Sequence, residues 1–117
     1  MFDWVVKIGG SLFPDYAIDV LDCLVGQNVL VICGGGIFAN LIRELNDNMN
    51  FSDTANHFAA IDCMDIIGEL LADKVDGAVP IYDLNDAGVV INSGGVPILL
   101  PSRFMRCIDT LEHSDYE

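Results

Sequence analysis

Residues 28–36 read NVLVICGGG, and the fold turns on that stretch. The run VLVIC is apolar throughout and rich in β-branched side chains, the pattern of a strand buried on both faces rather than one alternating between core and solvent. It ends directly in three glycines. Residues 2–8 (FDWVVKI) repeat the arrangement, a short apolar run stopped by Gly9 and Gly10 that reads as a buried strand. Between the two runs lies a predicted helix that starts at Pro14-Asp15, carries Ala17, Ile18, Leu21, Leu24 and Val25 at helical spacing and stops at Gly26.

On the C-terminal side, Ile37, Phe38, Leu41, Ile42 and Leu45 predict a second helix, closed by the polar stretch 46–50 (NDNMN) as a loop. A longer helix is expected from Ser52 or Asp53 to about Ala72, with Ala55, Ala59, Met64, Ile67 and Leu71 as its core-facing stripe. Residues 79–82 read as a strand, 83–91 as a short helix-like segment and 96–100 (VPILL) as a further buried strand bounded by Pro101. Apolar strands alternating with amphipathic helices predict the α/β class: an open, mostly parallel sheet flanked by helices, in a single domain spanning residues 1–117.

Composition narrows the function. A hydrophobic content of 52% in 117 residues is enough for a packed core. Eighteen acidic residues against five basic ones give a formal charge of −13, which repels phosphodiester backbones and anionic lipid surfaces and so speaks against nucleic-acid and membrane binding. No apolar run reaches the roughly 18 residues that span a bilayer, and the start MFDW lacks a basic leader; a soluble, cytoplasmic protein is expected. Cys23, Cys33, Cys63 and Cys107 are scattered without metal-ligand spacing and read as reduced thiols, three of them as small core residues.

Two places carry chemistry. Lys7-Ile8-Gly9-Gly10-Ser11 follows the first strand, and Gly34-Gly35-Gly36 follows the second. Glycine turns let backbone N–H groups approach an anion, and a following helix N-terminus adds a favourable partial charge. Lys7 within an apolar strand either reaches solvent or serves an anion in the concavity. Three glycines in a row exceed what a turn requires, so close approach of a ligand is the more economical reading. Two such turns at neighbouring strand ends are expected to face one crevice, the place where open α/β sheets bind ligands. Neither turn is a P-loop, and no dinucleotide-binding glycine pattern follows a strand. The carboxylates Asp62, Asp65, Glu69 and Asp73 read as a solvated helix face, and Arg103 and Arg106 either reach an anionic ligand or solubilise a rim.

The pair VVKIGGSL (5–12) and VLVICGGGIFAN (29–40), separated by one helix, resembles the amino acid kinase superfamily. The segments ANHFAAIDCMDIIGELLAD (55–73), VPILLPSRFMR (96–106) and LEHSD (111–115) look like its archaeal branch of (aminomethyl)furanmethyl phosphate kinases, which act in methanofuran biosynthesis in methanogens. The resemblance covers the whole chain but only the N-terminal, acceptor-binding half of a family member; the C-terminal nucleotide-binding half, with an aspartate and a second lysine, has no counterpart. It implies ATP-dependent phosphoryl transfer, with Mg2+, to a carboxylate or phosphate of a small-molecule acceptor. Lys7 would be catalytic, Gly9, Gly10 and Ser11 would hold the ATP phosphates, and Gly34, Gly35 and Gly36, with His57, would line the acceptor site. From the residues alone His57 reads rather as a solvent-facing helix residue, and Asp115 is given no role. A homo-oligomer, most simply a dimer built through the helices, is expected. The competing expectation is a catalytically silent binding module of the same fold. A receiver-like domain explains the alternation and the acidity but not the glycines.

Overall fold

The computed structural model describes residues 2–108, so the segment LEHSD lies outside the described residues. Four strands form one parallel sheet in the order β1-β2-β4-β3: β1 Trp4–Ile8, β2 Val29–Cys33, β3 Ala78–Ile81 and β4 Val96–Leu99. The α/β fold expected from the sequence is the one observed. β1 and β2 run in register from Trp4 opposite Val29 to Ile8 opposite Cys33, and this alignment places the two glycine turns side by side.

Four helices connect the strands: α1 Asp15–Leu24, α2 Gly36–Met49, α3 Asp53–Lys74 and α4 Ala87–Asn92. Residues 102–108 are also helical. One face of the sheet, bearing Ile8, Val29, Val31, Cys33, Val96 and Ile98, packs against Ala17 and Leu21 of α1 and Ile67 and Leu71 of α3. The opposite face, with Leu30, Ile81 and Leu99, is covered by Ala87 and Val90 of α4. Alternation of side chains along each strand accounts for this division.

The central strand β4 is buried at every position, as an apolar run between two helical layers should be. β1 is not the buried strand expected. It is an edge strand, and Trp4 and Val5 are 72% and 55% exposed; the α4 cluster on the far face reaches β2 through Leu30 and Ile32 but includes no residue of β1. Continuous apolar patterning marks composition, not position within the sheet.

α2 also departs from expectation. The polar stretch 46–49 is its last turn, and the chain reverses only at Asn50, which is left-handed with φ 52° and donates its N–H to the Asn46 carbonyl. Asn46 stays helical because its side-chain oxygen accepts from Phe51 N (2.8 Å) and from Asn56 Nδ2 (3.0 Å), tying the end of α2 to the start of α3. Ser52 caps α3 as expected, its hydroxyl accepting from Ala55 N at 3.1 Å. The expected core stripe of α3 holds only in its C-terminal half: Ile67 and Leu71 are buried, whereas Ala55 is exposed, because the first half packs on α2 rather than on the sheet.

Of the four cysteines, Cys33 and Cys63 are buried and Cys23 and Cys107 exposed, so two rather than three serve the core. Burial pushes the Cys33 thiol from 9.0 up to about 11. Burial, and then the charge of Asp62, raises that of Cys63.

Candidate active site

Each glycine turn opens a helix. After β1 the chain makes a 3-10 turn over Gly10–Leu12, with Leu12 N donating to Gly9 O at 3.1 Å. After β2 the glycines lead into α2, and Gly36 takes φ 60°, the left-handed region that favours glycine. The first amides of a helical turn have no carbonyl partner within it, which makes both turn starts donor-rich.

The turns touch through their backbones. A Cβ on Gly10 would stand 2.2 Å from Gly36 N, and one on Gly34 would stand 2.7 Å from Gly10 N. Gly34 also extends the β1–β2 ladder, its N–H donating to Ile8 O at 2.9 Å. These contacts correct the sequence reading that the triple glycine exists for close approach of a ligand. Gly10 and Gly34 are required by each other's turn, and the Gly34 amide is already occupied. Gly9 differs: its Cβ would meet only Ser11 Oγ, at 4.0 Å.

Together the turns wall one cavity of about 370 Å³. Its lining includes Lys7, Gly9, Gly10, Ser11, Gly34, Gly35 and Gly36, so the expected common crevice is formed. Phe13, Ile37, Ala39, Asn40 and Arg43 complete the wall. Lys7 is exposed and emerges at the strand end, between the turns. Arg43, which sequence reading passed over, comes from the second turn of α2 and donates from Nη1 to Asn40 Oδ1. Its signal was rarity: two of the chain's five basic residues line this cavity, and no acidic side chain among the described residues does. Against a net charge of −13, such segregation leaves the charged part of the cavity lining cationic.

His57 is not brought to the cavity. It is exposed on α3, its ring 5.3 Å from that of Phe58. α3 turns Asn56 and Ala60 towards α2, and the next residue along a helix is rotated by about 100°, which takes His57 off that face. Arg103 and Arg106 are engaged elsewhere. Arg103 stacks on Tyr82 at 4.0 Å, and Arg106 pairs with Asp62 at 2.7 Å while lying over Phe58. Asp65 accepts from the Ser102 N–H at 3.1 Å and from the Ser102 hydroxyl. Half of the acidic stripe on α3 therefore anchors the segment 102–108 rather than standing free in solvent.

Among the described residues no group of three or more His, Cys, Asp or Glu gathers as a metal site. With no carboxylate in the lining either, the residues present do not fit a protein-held Mg2+ at this cavity.

Parallel strands ending in paired glycine turns over a cationic cavity define an α/β lobe that resembles the amino acid kinases. Comparison with known proteins agrees. The chain is 39% identical, over 117 aligned residues, to [5-(aminomethyl)furan-3-yl]methyl phosphate kinase of Methanocaldococcus jannaschii, a match taking in 94% of this chain and 53% of that protein. The chain thus spans about half the length of this curated relative. The crystal structure of uridylate kinase from Archaeoglobus fulgidus superposes with a TM-score of 0.63 at 20% identity, over 82% of this chain and 49% of that one, a likeness of fold. No family model matches the chain. The resemblance to the amino acid kinase superfamily read from the sequence accordingly holds in both sequence and fold.

Proposed function

We propose that this chain is the acceptor-binding lobe of a small-molecule kinase, supporting transfer of the γ-phosphoryl group of ATP to a phosphate or carboxylate oxygen. The acceptor best supported is an (aminomethyl)furanmethyl phosphate, the substrate class in the name of the Methanocaldococcus relative. One observation carries the reading: two backbone-packed glycine turns, with Lys7 and Arg43, wall a cavity that no carboxylate among the described residues lines.

In the proposed reaction an acceptor oxygen forms a bond to the γ-phosphorus while the bond from that phosphorus to the β,γ-bridging oxygen breaks, leaving ADP. This chain contributes position and charge, which supply most of the acceleration in phosphoryl transfer. The Lys7 ammonium compensates negative charge on the moving group. Amides of Gly9, Gly10 and Ser11 hold donor phosphates. Gly35 and Gly36, at the start of α2, face the acceptor, and Arg43 neutralises its anionic group. Mg2+ would enter on the nucleotide phosphates, since the described lining of the glycine cavity offers it no carboxylate.

A second reading is a binding module of the same fold without catalysis of its own. Titration with Mg-ATP and with phosphorylated and carboxylated acceptors, followed by 31P NMR for ADP, separates the two. Nucleotide binding and ADP formation support the kinase reading. Acceptor binding with no nucleotide affinity supports the silent module. No binding of any phosphate sinks both. For self-association, the surface we propose is the exposed stripe Ile37, Leu41, Leu45 and Met49 on α2. Sedimentation of Leu41→Glu, expected to be monomeric where the parent is dimeric, tests it.

A further inference from the structure

We infer that Cys63 is a positioning residue: from α3 it seats Gly35 at the start of α2, and so sets where the amides of the second glycine turn stand. The inference rests on the phosphoryl-transfer reading above and adds to it a residue that lies behind the cavity rather than in its lining.

Gly35 takes φ −81° and ψ −14°, ordinary helical angles open to any residue, so its lack of a side chain has another cause. A Cβ there would stand 2.7 Å from Ala39 Cβ, 3.1 Å from Cys63 Cβ and 3.7 Å from Ala60 O. The first of these contacts lies within α2 and the other two belong to α3, so the turn is clamped between the helices. One residue on, a Cβ at Gly36 would stand 3.1 Å from Ile67 Cδ1. Ala60, Cys63 and Ile67 follow one another at spacings of three and four, which puts them on one face of α3. That face supports the second turn and then, through Ile67 and Leu71, the sheet. Gly9 in the first turn has no such backing, since its Cβ would meet only Ser11 Oγ.

The seat is short, buried and neutral. Cys63 is 2% exposed, and burial, followed by the charge of Asp62, raises its thiol pKa, which keeps a thiolate from standing behind amides that serve an anion. The Gly34 amide is spent on Ile8 O, so the second turn has the Gly35 and Gly36 amides to offer a ligand. Hydrogen bonds weaken steeply as distance and angle depart from their optimum, so a small displacement of Gly35 is felt at the cavity it lines. A branched side chain at position 63 would push Gly35 towards Ala39, and a missing one would let it fall back.

Isothermal titration of the 117-residue chain with inorganic phosphate, with amide 15N–1H spectra at each end point, tests this. Cys63→Val places a branch on the carbon behind Gly35 and should weaken phosphate binding about tenfold, the size of one amide-to-anion hydrogen bond. Phosphate-induced shifts should shrink at Gly35 and Gly36 and persist at Gly9. Cys63→Ser, equal in size, should bind as the parent does. Val90→Ala removes bulk from the core on the opposite face of the sheet, and should lower the melting temperature while leaving phosphate binding alone. Cys63→Gly, which withdraws the contact carbon altogether, should also weaken binding, and it carries the test where the valine variant does not fold. Undiminished binding by the Val and Gly variants, or an equal loss in Val90→Ala, overturns the seating role and leaves the phosphate site standing. A parent chain that binds no phosphate removes the phosphoryl-transfer reading itself, and this inference with it.

Discussion

Gly10 and Gly36 meet backbone to backbone, so closely that a single methyl on Gly10 would stand 2.2 Å from the Gly36 nitrogen. The two glycine turns are therefore one packed unit rather than two independent loops. Their separation is set by the β1–β2 register and by the absence of side chains at the contact.

Gly10→Ala should destabilise the protein by about 1–3 kcal/mol, the usual cost of forcing atoms into a packed site. Gly9→Ala should change stability by no more than about 0.5 kcal/mol, because its Cβ would meet open space and its φ of −62° suits any residue. Urea unfolding of the two variants side by side checks this. Equal stability would mean that the turns do not touch as described.

Lys7→Ala should abolish phosphoryl transfer and leave unfolding within about 0.5 kcal/mol of the parent, since the side chain is exposed. The paired measurement is ADP formation and a thermal melt. Retained turnover would remove the lysine from the mechanism, and a large loss of stability would show that it serves the fold.

Asn46→Ala removes two hydrogen bonds that join α2 to α3, to Phe51 N and Asn56 Nδ2. The expected loss is about 1–2 kcal/mol, and hydrogen exchange should quicken at residues 50–56 before it does in the sheet. Uniform exchange behaviour would argue against a local staple.

Alkaline stability should report Cys33. Its thiol is protonated in the fold up to about pH 11, against 9.0 as the ordinary value, so the unfolded chain releases the proton first as pH rises. The contribution is complete below pH 9 and is lost between pH 9 and 11, amounting to about 2–3 kcal/mol. Denaturant titrations of the parent and of Cys33→Ala across that window check the sign. The parent alone should show this extra loss.

How much of this was legible in the sequence depended on whether the signal was local. β2, β4, α1 and the Ser52 cap follow from apolar runs and capping residues within a few positions, and all four stand where they were read. The exposed face of β1 did not follow, because the covering of a strand is decided by helices distant in sequence. The last turn of α2 was misread as loop for the same reason: Asn46 looks like a helix breaker until Asn56, ten residues on, supplies its partner. The cavity itself was foreseen from the two glycine runs, but the cause assigned to Gly10 and Gly34 was not, since packing between turns leaves the same glycines as packing against a ligand. Arg43 was overlooked although its scarcity was visible, and His57 was placed by likeness rather than by the helical angle that carries it away.

The concentration of two cations within an otherwise acidic molecule has a kinetic consequence. A dianion drifting in from bulk solvent first crosses an outer region of repulsion and feels attraction only at contact range. Dissolved electrolyte shortens the reach of both fields, from roughly 30 Å at 0.01 M to 10 Å at 0.1 M, and the distant barrier is what it erases first. Capture should therefore speed up with ionic strength where most phosphate-binding proteins slow down.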